Sequence, residues 1–171
     1  MYGQLNELRE SIMNKVMTNQ DLLKFIYYCD TNDKTDILSL PNLTKEQRKS
    51  LINTQIFKYK RMPLNSQTDA KCFLSMQYLG VNRNRKEPYW MQPYFEFTVV
   101  CSTSIDETLN GSRLLAIEEC ITDTFDMQTV GAVGNCRVLT SQPSNCDTGY
   151  IARVIQIYFI DWIKRSWVMK N

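Results

Sequence analysis

The residues best able to do chemistry in this chain are its six cysteines, Cys29, Cys72, Cys101, Cys120, Cys136 and Cys146. A cysteine thiolate is a nucleophile and a metal ligand. Their spacings are long and irregular, and none forms a C-x-x-C pair. The chain has no histidine, which removes the commonest general base and the usual companion of cysteine in a zinc site. Lysine could act as a base, but nothing singles one out. These features fit buried or half-buried free thiols in a reducing cytosol. The carboxylate pairs Asp106/Glu107 and Glu118/Glu119 are sequence neighbours, so they diverge in space, and on a helix they form a solvated face. Gly131 to Gly134 is the nearest approach to a phosphate loop and lacks the flanking pattern of either nucleotide-binding motif. No residue is therefore assigned a catalytic, cofactor-binding or metal-ligating role, and the expectation is a protein that is not an enzyme.

Charge placement is more informative than total charge. With 20 Lys and Arg against 18 Asp and Glu, the net charge is only +2. Residues 104–127 nevertheless hold Asp106, Glu107, Glu118, Glu119, Asp123 and Asp126 against Arg113. Residues 58–86 hold Lys58, Lys60, Arg61, Lys71, Arg83, Arg85 and Lys86 against Asp69. The two blocks read either as solvated faces or as complementary patches for head-to-tail association of copies. The basic loop of residues 82–94 also places Arg83, Arg85 and Lys86 near Tyr89, Trp90 and Tyr94. That combination is an alternative, small nucleic-acid surface, since aromatic rings stack on bases.

These residues must be carried by a fold. At 171 residues the chain fits one domain and buries roughly 70 % of its unfolded surface without needing a disulfide or metal. No apolar run reaches the roughly 20 residues of a membrane span. Glu7, Arg9 and Glu10 near the start argue against a signal peptide.

The stretch at 149–161 is β-branched and aromatic almost throughout, with both faces mainly apolar. It reads as a central strand needing cover on both sides. Leu5, Leu8, Ile12 and Val16 mark an amphipathic first helix. Thr18 to Asp21 and Thr44 to Gln47 fit capping boxes opening two more helices, the second preceded by Leu43 as a hydrophobic staple. Asp30 to Asp33 is a polar break between them. Residues 56–61 and 71–79 read as strands, the first closed by Pro63. Residues 94–102 put Phe95, Phe97, Val99 and Cys101 on one face, and Glu96, Thr98 and Val100 on the other. The charged loop between the last two strands makes them a long hairpin. Residues 104–110 read as a polar loop. A helix at 112–125 carries Leu114, Leu115, Ile117, Cys120, Ile121 and Phe125 as its apolar stripe and should lie across one sheet face. A strand at 136–139 follows, with Pro143, Asn145 and Asp147 turning the chain. The order gives an α+β domain, mainly antiparallel, with a long hairpin packed against helices. The first helix (1–18) and the aromatic, basic tail (162–171, with Trp162, Ile163, Trp167, Val168 and Met169) are possible subunit contacts. The tail either folds back on its own core or docks on a neighbour.

Leu22 to Tyr28, a polar break, Leu40-Pro41-Asn42-Leu43-Thr44, a short helix, Ile56-Phe57-Lys58, Ser112 to Glu119 and Gly149-Tyr150 before the long strand follow one another in a recognisable order. Over roughly residues 19–161 that order resembles the small neck and tail-terminator (head-tail joining) proteins of tailed bacteriophages. The first helix and the aromatic tail are additions to that pattern. The resemblance implies a structural virion protein without catalysis or cofactors, assembled in the host cytoplasm. It implies sixfold or twelvefold homo-oligomeric rings between portal and tail tube, and transient proximity to the DNA in the channel. It implies no membrane partner.

Overall fold

The computed structural model describes residues 2–29, 35–59, 71–83, 86, 90–131, 134–160 and 163–164. Helices α1 (Tyr2–Thr18), α2 (Gln20–Tyr27) and α3 (Lys45–Leu51) come first, with a 3-10 turn at Ile37–Ser39. Strands β1 (Ile56–Phe57), β2 (Cys72–Arg83) and β3 (Trp90–Ser102) follow. A 3-10 turn (Thr103–Ile105) and a small hairpin, β4 (Glu107–Thr108) with β5 (Gly111–Ser112), lead into helix α4 (Arg113–Phe125). Strands β6 (Cys136–Ser144), β7 (Tyr150–Phe159) and β8 (Ile163–Lys164) complete the described chain. The fold is α+β. The main sheet runs β1-β2-β3-β7-β6, with β8 also pairing β3. All its pairings are antiparallel except β1 with β2.

The expected hairpin is β2–β3, and both strands run further than the pattern suggested. Register shifts between Tyr78 and Gly80, where Gly80 takes a φ of 148° that a side chain would strain. Cys72, Leu74, Met76, Phe95, Phe97, Val99, Cys101, Ile155, Ile157 and Phe159 are buried on the helix side of the sheet. On the reverse face Phe57, Phe73, Val100 and Ala152 form a smaller buried cluster. Strand β7 is thus buried on both faces, as its composition requires.

Local sequence explains most boundaries. Thr44 accepts from the Gln47 N–H at 3.3 Å while the Gln47 side chain accepts from the Thr44 N–H at 2.8 Å, the anticipated capping box. The other box is not formed. Thr18 remains inside α1, its hydroxyl donating to the Asn14 and Lys15 carbonyls, and Asn19 caps α2 through Leu22 N–H at 3.0 Å. Asn19 is preferred because its amide also donates to Thr124 Oγ1 at 2.7 Å, tying α2 to α4. Helix α1 is built into the core, with Leu8, Ile12 and Val16 fully buried.

Two expectations are corrected in detail. On α4 the buried ladder is Arg113, Ile117, Ile121 and Phe125, with Leu114 beside it, and Leu115 is 52 % exposed. Spacing of four residues keeps one face inward, and Leu115 falls off that face. Strand β6 does not stop at 139 but runs through Pro143, which pairs in register with Arg153. As an edge strand, β6 tolerates a residue with no N–H to donate.

Of the tail, Ile163 and Lys164 pair with Trp90 and Met91 of the same chain, so the tail begins by folding back. Trp162, Trp167, Val168 and Met169 lie outside the described residues, as do Asp30 to Asp33 and Pro63.

Candidate functional site

The two ends of the sheet differ in how they are built. At one end, where β3 finishes at Ser102 opposite Tyr150, the first turn of α4 is pinned by polar groups. The buried Arg113 guanidinium donates from Nε to the Ile105 carbonyl at 2.9 Å, and from Nη1 to Phe25 at 2.8 Å and Tyr28 at 3.1 Å. Those carbonyls belong to the α2 end and the turn before β4, so one side chain clamps three segments. Asp106 accepts from Leu114 N–H at 2.9 Å and from Ser112 Oγ at 3.1 Å, while its carbonyl accepts from Arg113 N–H at 2.7 Å. Ser112 caps the helix through Leu115 N–H. A carboxylate at a helix start is favoured by the dipole as well as by the hydrogen bonds.

This brace frames an open groove of about 540 Å³, lined among others by Leu114, Leu115, Pro143, Cys146, Tyr150 and Arg153. Arg153, reaching from β7, donates to Glu118 Oε1 at 3.1 Å and to Ser141 Oγ at 3.3 Å, and its Nε also pairs with Glu118 Oε2. The groove therefore has an exposed leucine on one wall and a neutralised ion pair nearby.

At the other end the β2–β3 hairpin closes, with β8 pairing β3 at Trp90 and Met91. Tyr78 and Leu79 are 41 % and 43 % exposed. An open hollow of about 480 Å³ is bounded by Leu79, Gly80, Val81, Asn82 and Tyr94. Tyr94 stacks on Tyr158 with centroids 5.9 Å apart, so its ring is already engaged by a neighbouring strand. Tyr94 and Ser102 are eight positions apart on β3, which places the two ends about 26 Å apart at the usual strand rise.

The charge blocks are thinner than the sequence implied. Of the six acidic residues, Asp106 serves as a brace, Glu118 pairs with Arg153, and Asp126 Oδ1 accepts from Val138 N–H at 3.0 Å. Glu107, Glu119 and Asp123 are exposed. In each adjacent pair one carboxylate turns inward and the other outward. In the basic block, Lys58 pairs with Glu10 at 2.7 Å and Lys86 is exposed. Lys60, Arg61, Asp69, Arg85, Tyr89 and the side chains of Arg83 and Trp90 fall outside the described residues. Gly131 and Gly134 both adopt positive φ, and Val130 N–H donates to the Gly134 carbonyl.

All six cysteines are free, with Cys29, Cys72, Cys101 and Cys136 buried. No group of three or more Cys, Asp or Glu among the described residues could hold a metal ion. No helix among them is long and apolar enough to cross a membrane. Arg113 and Asp106 were missed as a structural pair. The one available signal was an arginine at the first position of a helix whose later i+4 positions are all large and apolar.

No curated protein matches the chain. A family model named YomW matches residues 19–159, a span that begins at the α2 cap and ends with β7. It leaves out α1, although α1 is part of the core, and the tail that contains β8. Because that match covers most of the chain, the protein belongs to the YomW family.

Proposed function

We propose that this protein is a structural subunit of a tailed-phage virion, a neck, tail-terminator or head-tail joining protein. It assembles head to tail into a closed ring and has no enzymatic role. The observation that carries the reading is that, of the eight exposed large apolar side chains among the described residues, Tyr78 and Leu79 lie on the hairpin and Leu115 lies on α4 beside the groove at the other end of the sheet. A patch that fits a different patch on the next copy makes a heterologous contact, and such contacts close into rings when the rotation allows. The segment order described for neck proteins and the phage association of the family name support the same reading. The three exposed carboxylates on and before α4 add steering, and the hairpin and groove supply the contact.

Mixing variants tests this. Size-exclusion chromatography with light scattering should show the full chain as a multiple of one subunit. Leu79→Glu and Leu115→Glu should each abolish that species. Mixed together they should give a dimer, because one intact hairpin can still meet one intact groove. Two variants that stay monomeric on mixing, or a full chain that stays monomeric at high concentration, would reject the reading.

A further inference from the structure

Three of the cysteines, far apart in sequence, meet inside the fold. Cys72 on β2 and Cys101 on β3 are direct cross-strand partners, with Sγ atoms 2.9 Å apart. Ser102 N–H donates to the Lys71 carbonyl, so the flanking 71/102 pair is the hydrogen-bonded one. That makes 72/101 the non-hydrogen-bonded kind, in which Cα atoms are closest, about 4.5 Å apart. This lies at the near limit of the roughly 4.4–6.8 Å that a disulfide spans. Cys29, just past α2, is joined to Cys72 through Gln55, and its own thiol donates to the Ile26 carbonyl at 3.0 Å. Its sulfur also receives Gln55 Nε2 at 3.6 Å, and the same amide donates to the Cys72 carbonyl at 3.2 Å.

We infer that Cys29, Cys72 and Cys101 form a thiol relay in which hydrogen peroxide enters at Cys29 and the oxidation ends as a Cys72–Cys101 cross-strand disulfide. The inference stands apart from the assembly reading and needs only the fold. Access favours Cys29, which is 7 % exposed while Cys72 and Cys101 are at 0 %, so only a small oxidant can enter. Reactivity favours it too. The hydrogen bond from Cys72, helped by the Arg113 guanidinium and Gln55, lowers the Cys29 thiol to about 7 against the opposing effect of burial. Burial pushes Cys72 well up, suiting it to donate and then to resolve. The more exposed thiols are poor competitors, because burial and nearby carboxylates push Cys120 to about 12 and raise Cys146.

The steps balance. The Cys29 thiolate attacks one peroxide oxygen; an S–O bond forms, the O–O bond breaks, and hydroxide leaves. Cys72 sulfur attacks the resulting sulfenic sulfur; an S–S bond forms and water departs with the Cys72 proton. Cys101 sulfur then attacks Cys72 sulfur, the Cys29–Cys72 bond breaks, and the Cys29 thiolate is restored. The Cys101 proton neutralises the hydroxide. Two thiols are oxidised and one peroxide is reduced to two waters.

The full chain should be treated with limiting hydrogen peroxide, then denatured, alkylated and mapped by mass spectrometry. The expected result is a fall from six free thiols to four, with one linked peptide joining Cys72 to Cys101. Cys29→Ala should slow that link roughly tenfold or more. Cys101→Ala should stop the reaction at a Cys29–Cys72 link. The linked protein should melt roughly 5–10 °C higher, because the unfolded chain is then closed by a loop. Oxidation that goes first to Cys120 or Cys146, or Cys29 oxidation with no link to Cys72 or Cys101, would overturn the inference. Both outcomes are read on the unmutated protein, so they do not depend on any variant folding.

Discussion

The groove end of the sheet is held by charge and helix caps, whereas the described residues of the hairpin end are held by strand pairing and a side-chain bond, from Gln92 Nε2 to the Ile160 carbonyl at 2.7 Å. At the groove, Arg113 and Asp106 tie the α4 start to the α2 end and to the turn before β4 through hydrogen bonds of 2.7–3.1 Å. At the hairpin, a register shift and a glycine at φ 148° interrupt the ladder, and β8 adds two residues of pairing beside its closing loop, at Trp90 and Met91. A braced concavity keeps its shape, while a ribbon whose ladder is interrupted is easier to bend. In a head-to-tail assembly the first would act as the receiver and the second as the insert.

Removing the brace should have the largest effect. Arg113→Ala leaves buried carbonyls without a donor and a hole in the core, and should cost about 3–5 kcal/mol, read as a loss of urea stability. Should it prove nearly neutral, the groove is not braced as described. Asp106→Ala removes a cap that serves both Leu114 and Ser112 and should cost about 1–2 kcal/mol by the same measurement. Gly80→Ala meets no atom within 4 Å, so its cost is backbone strain alone, about 1 kcal/mol. A thermal shift well above that would mean the hairpin is less adaptable than its contacts suggest. The smallest stability change belongs to Leu79→Ser, within about 0.5 kcal/mol, although the same substitution should weaken self-association.

How much of this could be read in the residues alone depended on the kind of signal. Alternation on β3, the β-branched run of β7 and the Thr44 capping box follow local rules, and the structure carries all three. The apolar stripe of α4 was legible except at two positions. Hydrophobicity alone puts Leu115 in the stripe and leaves Arg113 out of it, whereas the i+4 ladder that Ile117, Ile121 and Phe125 define does the reverse. Pro143 reads as a turn residue in the sequence because an edge strand cannot be recognised before the strand order is known. The Cys72–Cys101 contact and the partners of Glu118 and Asp126 are set by tertiary register, which no short spacing reports. The acidic block therefore looked like a surface feature when half of it is structural.

Light scattering on an equimolar mixture of Leu79→Glu and Leu115→Glu tests the central claim most directly, since each alone should be monomeric. The account predicts a defined two-subunit species in the mixture, held by the one hairpin and one groove left intact. A mixture that contains only monomers, beside a full chain that does self-associate, would contradict it.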